Sequence, residues 1–230
     1  AFAAAPIVDL LSARSRASAG SSPLRGAPGF VLALDDESLP EAPEIALRSA
    51  DLPILIGTNT DEYRLWLTPE AVSQIGRLQA WVARRAMGVP ERAARAVARA
   101  FPGASPGEVL GQLLTDRTLR APATRIARAR TAPTFVYEFS WRSPIRGLDA
   151  AHALEIGFAF DHLRDAEALL LAGPDAPADL ARDMHAAWVA FIRDGDPGWP
   201  RFSTSCMTRI WDAASRDLPQ RRTEVIDALG

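Results

Sequence analysis

Apolar and polar positions fall into two periods along this chain. Residues 52–56, "LPILI", form a continuous apolar run closed by Gly57. That pattern predicts a parallel strand buried on both faces. Residues 133–141, "PTFVYEFSW", are aromatic and β-branched and predict a second strand. Two weaker stretches, "GFVLALDDES" from Gly29 and "TRIWDA" from Thr208, predict a short strand with a turn and a final edge strand. Between the strands the period is helical. Thr68-Pro69-Glu70 is a start signal for a helix that runs to Met87, with Gly88 as its stop. A second helix opens at Pro90 and stops near Pro102. A third follows the loop 103–107, carries Val109, Leu110, Leu113 and Leu114, and continues through "TDRTLRAPATRIARAR" with Pro122 as a kink or break. In "DLARDMHAAWVAFIRDGDP", Leu180, Met184, Trp188, Phe191 and Ile192 share one helical face, and Gly195 and Pro197 end the helix.

Strands spaced by long helical stretches predict an α/β fold with a mostly parallel sheet flanked by helices. Three or four strands are visible. A parallel sheet that small leaves an edge uncovered, so its other strands are expected elsewhere. Residues 12–28 are rich in Ser, Ala, Arg, Gly and Pro and read as a mobile linker. The predicted division is therefore 1–28, linker-like, and 29–230, one partial α/β domain.

Composition narrows the function classes. The chain has 230 residues, 48% of them hydrophobic, enough for a sizeable core. A net charge of −2 argues against a nucleic-acid or anionic-membrane partner. All 26 basic residues are arginine, so the run Arg84, Arg85, Arg92, Arg95 and Arg99 reads as a solvated helix face. The single cysteine, Cys206, cannot form an internal disulfide. No apolar run approaches the roughly 20 residues of a membrane span. The opening "AFAAAPIVDLL" has its arginines after it, the reverse of a signal peptide. A cytoplasmic location is expected. Position 1 is not Met; its removal before Ala, or a start inside a longer gene, would each explain that.

One short motif invites a catalytic reading. Gly103-Ala104-Ser105-Pro106-Gly107 matches G-x-S-x-G. A nucleophile elbow needs a strand feeding the turn and an N–H after the serine to hold the oxyanion. Ser105 follows a helix, and Pro106 has no N–H. Ser105 is therefore predicted to cap the next helix. His162 and His185 read as structural, Cys206 as inert, and three scattered histidines with one cysteine make no zinc site.

Two segments change the picture together. "ILIGTNTDEYRLWL" resembles the segment around the acidic triad member of type B carboxylesterases, the cholinesterase-like branch of the α/β-hydrolases, with its G-x-N-x-D-E pattern. "GLDAAHALEIGFAF" resembles that family's histidine loop. "LLTDRTLRAPATRIARA", "TFVYEFSWRSP" and "MHAAWVAFIRDGDPGWPRF" fit further family segments in the same order, from about Phe30 to near the C-terminus. The resemblance implies the C-terminal portion of an α/β-hydrolase fold, with the first half of its sheet missing. It assigns the acid role to Glu62 and the base role to His152, with no cofactor and no metal. The substrate it implies is a small-molecule carboxylic ester.

Departures from the family pattern are as informative. The family places its nucleophile, in a G-E-S-A-G context, well before the acid. That motif and the glycine-rich oxyanion segment are absent; "RASAG", residues 16–20, keeps only S-A-G. The chain is thus expected to be an ester-hydrolase fragment, inactive alone, whose sheet edge is covered by a missing N-terminal half or another chain. Tyr63 stands where the family usually has Gly, which puts the turn after Glu62 in question. Glu155, three residues after His152, could orient the histidine loop but reads rather as a structural hydrogen-bonding residue; the six tryptophans read mostly as core, and Trp66 and Trp141 could approach an acyl pocket. The alternatives are a non-catalytic, esterase-like protein-binding module and a self-contained α/β domain with coincidental motifs.

Overall fold

A computed structural model of the protein describes residues 5–19, 34–203 and 205–230. Its centre is a four-stranded sheet of β1 (Ile54–Asn59), β2 (Thr134–Phe139), β3 (Met207–Trp211) and β4 (Arg216–Pro219), in that spatial order. β1–β2 and β2–β3 are parallel; β3–β4 is an antiparallel hairpin. Among the described residues the outer edge of β1 has no strand partner. Parallel strands joined through helices make this an α/β fold with a mostly parallel sheet. TRIWDA is therefore an inner strand, and the edge belongs to β4. Its four residues, Arg-Asp-Leu-Pro, carry little apolar signal and end in Pro, as edge strands tolerate.

Gly57 does not end β1. It lies inside the strand, directly opposite Tyr137 of β2. A Cβ there would sit 2.3 Å from the Tyr137 ring, so the glycine makes room for an aromatic side chain laid across it.

Helices cover both faces. α1 (Ile7–Ser18) and α2 (Pro43–Ser49) precede the sheet. The segment read as a linker thus includes helical residues 12–18, none of them buried; 20–28, and residues 29–33 of the strand and turn read from Gly29, lie outside the described residues. The long helix read from Thr68 is two: α3 (Pro69–Ser73) and α4 (Arg77–Ala86), broken at Gly76. α5 (Glu91–Ala100) and α6 (Pro106–Thr115) follow, and α6 runs through a π-helical turn, Asp116–Arg120, into α7 (Ala121–Ala129). Pro122 has no N–H for the Thr118 carbonyl, and the Ala121 N–H reaches back five residues to Asp116. The helix widens by one residue instead of breaking.

After β2 come α8 (Ile156–Ala159), α9 (Ala166–Ala172) and α10 (Ala178–Asp194), and after β4 comes α11 (Thr223–Leu229). Leu180, Met184, Trp188 and Phe191 of α10 join Phe135, Phe139, Phe158, Trp199 and Trp211 in the main core. Ile192 is 80% exposed instead. At 100° per residue it rotates off the stripe that Leu180 begins. A second cluster packs Val97, Leu110, Leu113 and Val225 between α5, α6 and α11. Arg84 faces this region and is buried, bonded to the Val89 carbonyl and Glu91, so the basic run is not wholly a solvated face.

The C-terminal ends of β1 and β2 enclose charge. Glu138 is buried against Arg120 (3.2 Å), Arg221 (2.8 Å) and Arg222 (2.5 Å), and Arg120 also pairs with buried Asp116. Burial alone would raise the Glu138 carboxyl; Arg120, Arg222 and Arg221 overcome it and hold the group at about 2, against an ordinary 4.5. The depressed value means that stabilisation is complete above about pH 4.5 and is lost as pH falls toward 2, worth about 3 kcal/mol. Denaturant unfolding should show that acid limb in the native chain, and Glu138→Gln should flatten it.

Candidate active site

β1 delivers its last residue, Asn59, to the C-terminal edge of the sheet, where open α/β sheets place functional loops. The chain then turns through Thr60 and Asp61 into a short 3₁₀ helix, Glu62–Leu65. The histidine loop, 143–155, returns over the same edge. Two main-chain bonds join the two segments, Asp61 N–H to the Ala150 carbonyl (2.9 Å) and His152 N–H to the Glu62 carbonyl (3.3 Å), while Thr60 N–H bonds the Phe139 carbonyl at the end of β2 (2.9 Å). Arg64 adds an ion pair to Asp149 (3.1 Å) and a bond to the Gly147 carbonyl (3.2 Å). Ala153, next to His152, takes φ +66°, a left-handed conformation costly for a residue with a Cβ. The loop is held in a shape it would not adopt alone.

This framework brings Glu62 and His152 together. Glu62 Oε2 lies 2.7 Å from His152 Nδ1. The carboxylate is buried and its other oxygen accepts the Asn59 N–H at 2.7 Å. The imidazole side chain is 43% exposed. A carboxylate can only accept, so Nδ1 carries the proton and Nε2 keeps a lone pair directed away from Glu62. Such a pair can take a proton from a hydroxyl at Nε2 and stabilise the imidazolium that forms. Trp66, 58% exposed, lies against the imidazole with ring centroids 4.8 Å apart. Trp141 packs on Phe158 and against the main core.

The Tyr63 departure has a local answer. Tyr63 sits in the 3₁₀ helix without positive φ, so this turn has no need of glycine. Its ring is buried over Gly111 of α6, where a Cβ would come within 2.3 Å of it. Its N–H bonds to Thr115 Oγ1 at 3.2 Å. Gly111→Ala should therefore cost about 1–3 kcal/mol by overpacking. In a Tyr63→Ala background that added cost should vanish, which a double-mutant unfolding cycle measures.

Asp61 and Glu155 flank the pair. Burial raises the Asp61 carboxyl, which accepts from Gln112 Nε2 at 2.6 Å. Burial also raises Glu155, whose carboxylate is bonded to the Asn59 side chain. Asn59, Arg64 and the Glu138 cluster were not singled out by sequence reasoning. Asn59 stood inside the quoted G-x-N-x-D-E pattern, a signal that was available.

Ser105 is the N-cap of α6: its Oγ accepts the Glu108 N–H (3.3 Å) and the Glu108 carboxylate accepts the Ser105 N–H (2.7 Å), a capping box. Ser105→Ala should cost about 1 kcal/mol in thermal or denaturant unfolding and leave ester hydrolysis by a complete enzyme unchanged. His162 lies near Asp165, and His185 bonds the Ala159 carbonyl; neither meets the Glu62–His152 pair. Among the described residues no group of His, Cys, Asp and Glu could hold a metal ion, and no helix is long and apolar enough to cross a membrane.

A buried carboxylate and a half-exposed imidazole past the ends of parallel strands are the acid–base arrangement found on α/β-hydrolase sheets. The description of the matching family model is "Carboxylesterase family", and it covers residues 3–220; the chain belongs to the carboxylesterase family. It is 30% identical over 185 residues to the para-nitrobenzyl esterase of Bacillus subtilis (strain 168), a match covering 75% of this chain and 37% of that protein. It is 32% identical over 191 residues to the phenmedipham hydrolase of Pseudarthrobacter oxydans, covering 75% and 38%. Among solved structures, the Geobacillus stearothermophilus carboxylesterase EST55 superposes with a TM-score of 0.79 at 28% identity, over 99% of this chain and 50% of that one. The chain thus matches well under half the length of these curated relatives, and half of the solved carboxylesterase.

Proposed function

We propose that this chain supplies the acid and the base of a carboxylic-ester hydrolase, Glu62 and His152, while the attacking serine and the glycine-rich oxyanion segment lie on residues outside it. The observation that carries the reading is the 2.7 Å contact between a buried carboxylate and a half-exposed imidazole. In the reaction a serine Oγ bonds to the ester carbonyl carbon as its proton passes to His152 Nε2. Glu62 stabilises the imidazolium, which then protonates the departing alkoxide and leaves an acyl-enzyme. Water repeats the sequence and releases the carboxylic acid.

Ser105 is an unsuitable nucleophile, because it is engaged in a helix cap and is followed by Pro106. The unpaired β1 edge suits further strands from a nucleophile-bearing half. The chain alone is therefore inactive in this reading. A purely protein-binding module would have no use for the Glu62–His152 pair, so we favour the enzyme. The substrate is a small-molecule carboxylic ester, a class consistent with relatives named as an esterase and a carboxylesterase. Fluorophosphonate labelling of the natural product containing this chain should modify a serine outside residues 1–230. Label mapped to Ser105, or ordinary nitrophenyl-ester turnover by the isolated chain, overturns the proposal.

A further inference from the structure

Asn59 meets both halves of the acid–base pair, and it is buried to 1% exposure. Its backbone N–H fixes Glu62 Oε1 at 2.7 Å. Its side-chain Nδ2 donates to the Ala151 carbonyl at 2.6 Å and to Glu155. Ala151 is the residue immediately before His152, and Glu155 lies three residues after it. One residue of β1 thus orients the carboxylate with its main chain and grips the histidine loop on both sides with its amide. Its own carbonyl accepts from Arg120 at 2.8 Å, which anchors it from behind. Its Oδ1 is buried without a partner among the described residues.

We infer that Asn59 is a positioning residue, clamping the histidine loop through Ala151 and Glu155 so that His152 Nδ1 stays in register with Glu62. The clamp matters because the loop carries a left-handed Ala153 and is not rigid by its own conformation. Glu155 is the second jaw. It faces Glu62, His152 and Tyr137. Burial raises its carboxyl, the Asn59 amide and His152 act against the rise, and the Glu62 charge adds to it. A neutral side chain of the same shape should therefore serve there.

This inference rests on the proposed roles of Glu62 and His152, and the test separates the two. The first readout is the low-field Nδ1–H resonance of His152 in the whole 230-residue chain, followed by proton NMR. Asn59→Ala keeps the backbone N–H and removes only the clamp. It should broaden or abolish that resonance, and so should Glu155→Ala, while Glu155→Gln restores most of it. The second readout is ester hydrolysis by the complete enzyme. There Asn59→Ala should lower kcat by about 10²-fold with little change in KM, the size of effect that a misplaced base produces. Asn59→Ser, a smaller polar change, guards against loss of folding, and circular dichroism confirms the fold of each variant. Folded Asn59→Ala and Asn59→Ser chains with an unaltered His152 resonance and kcat, beside a Glu62→Gln control that loses both, overturn the clamp. A Glu62→Gln chain that keeps the resonance overturns the proposed function instead.

Discussion

Replacing His152 with alanine in the complete hydrolase should lower kcat by at least about 10⁴-fold while KM for a nitrophenyl ester changes little. The loss is that large because, in the proposed mechanism, Nε2 acts twice, first as base toward the serine and then as acid toward the leaving alkoxide. Glu62→Gln should cost nearly as much. An amide at that position can still accept at one atom, but it offers Nδ1 no charge, and its NH₂ group favours the wrong tautomer. The two substitutions together should cost scarcely more than His152→Ala alone, since they disable one device. Steady-state kinetics on the two single variants and the double variant check all three statements. Additive losses would mean that Glu62 does not act through the imidazole.

The second large effect concerns stability. Arg120→Met should destabilise the fold by about 3–5 kcal/mol in denaturant unfolding, because it leaves Asp116 and Glu138 buried with less compensating charge. Arg120 also ties the π-helical turn to the end of β1 through the Asn59 carbonyl. The loss should therefore be accompanied by faster amide exchange at residues 59–62. Arg182→Met is the control. Its pairing with Asp179 is exposed on α10, and its removal should change stability little.

Much of the candidate site was legible because its residue types stand in short segments. Glu62 and His152 came from two motifs whose order and types resemble one family, and the fold brings them to 2.7 Å. The strong strands and the amphipathic α10 followed from side-chain periodicity. What escaped has physical reasons. α11 starts from Arg222 in a left-handed conformation, not from a capping Ser, Thr or Asp, so no start signal precedes it. The helix from Thr68 divides at Gly76, where a single glycine in a helical pattern is an ambiguous stop. Glu138 sits inside an aromatic strand, and its arginine partners are 18 and more than 80 residues away. Nothing local marks them as a cluster, and the abundance of arginine hid them further. Asn59 is a polar residue in a strand end, and its significance depends on a loop about 90 residues later.

The Tyr63–Gly111 contact has a historical consequence. A phenol ring at 63 fits only if position 111 already lacks a Cβ, whereas a bare 111 tolerates either occupant at 63. A chain with glycine at both positions could acquire the ring in one step. With the ring in place, alanine or anything larger at 111 carries the overpacking cost. Close kin with a bulky residue at 111 should therefore carry a small residue at 63.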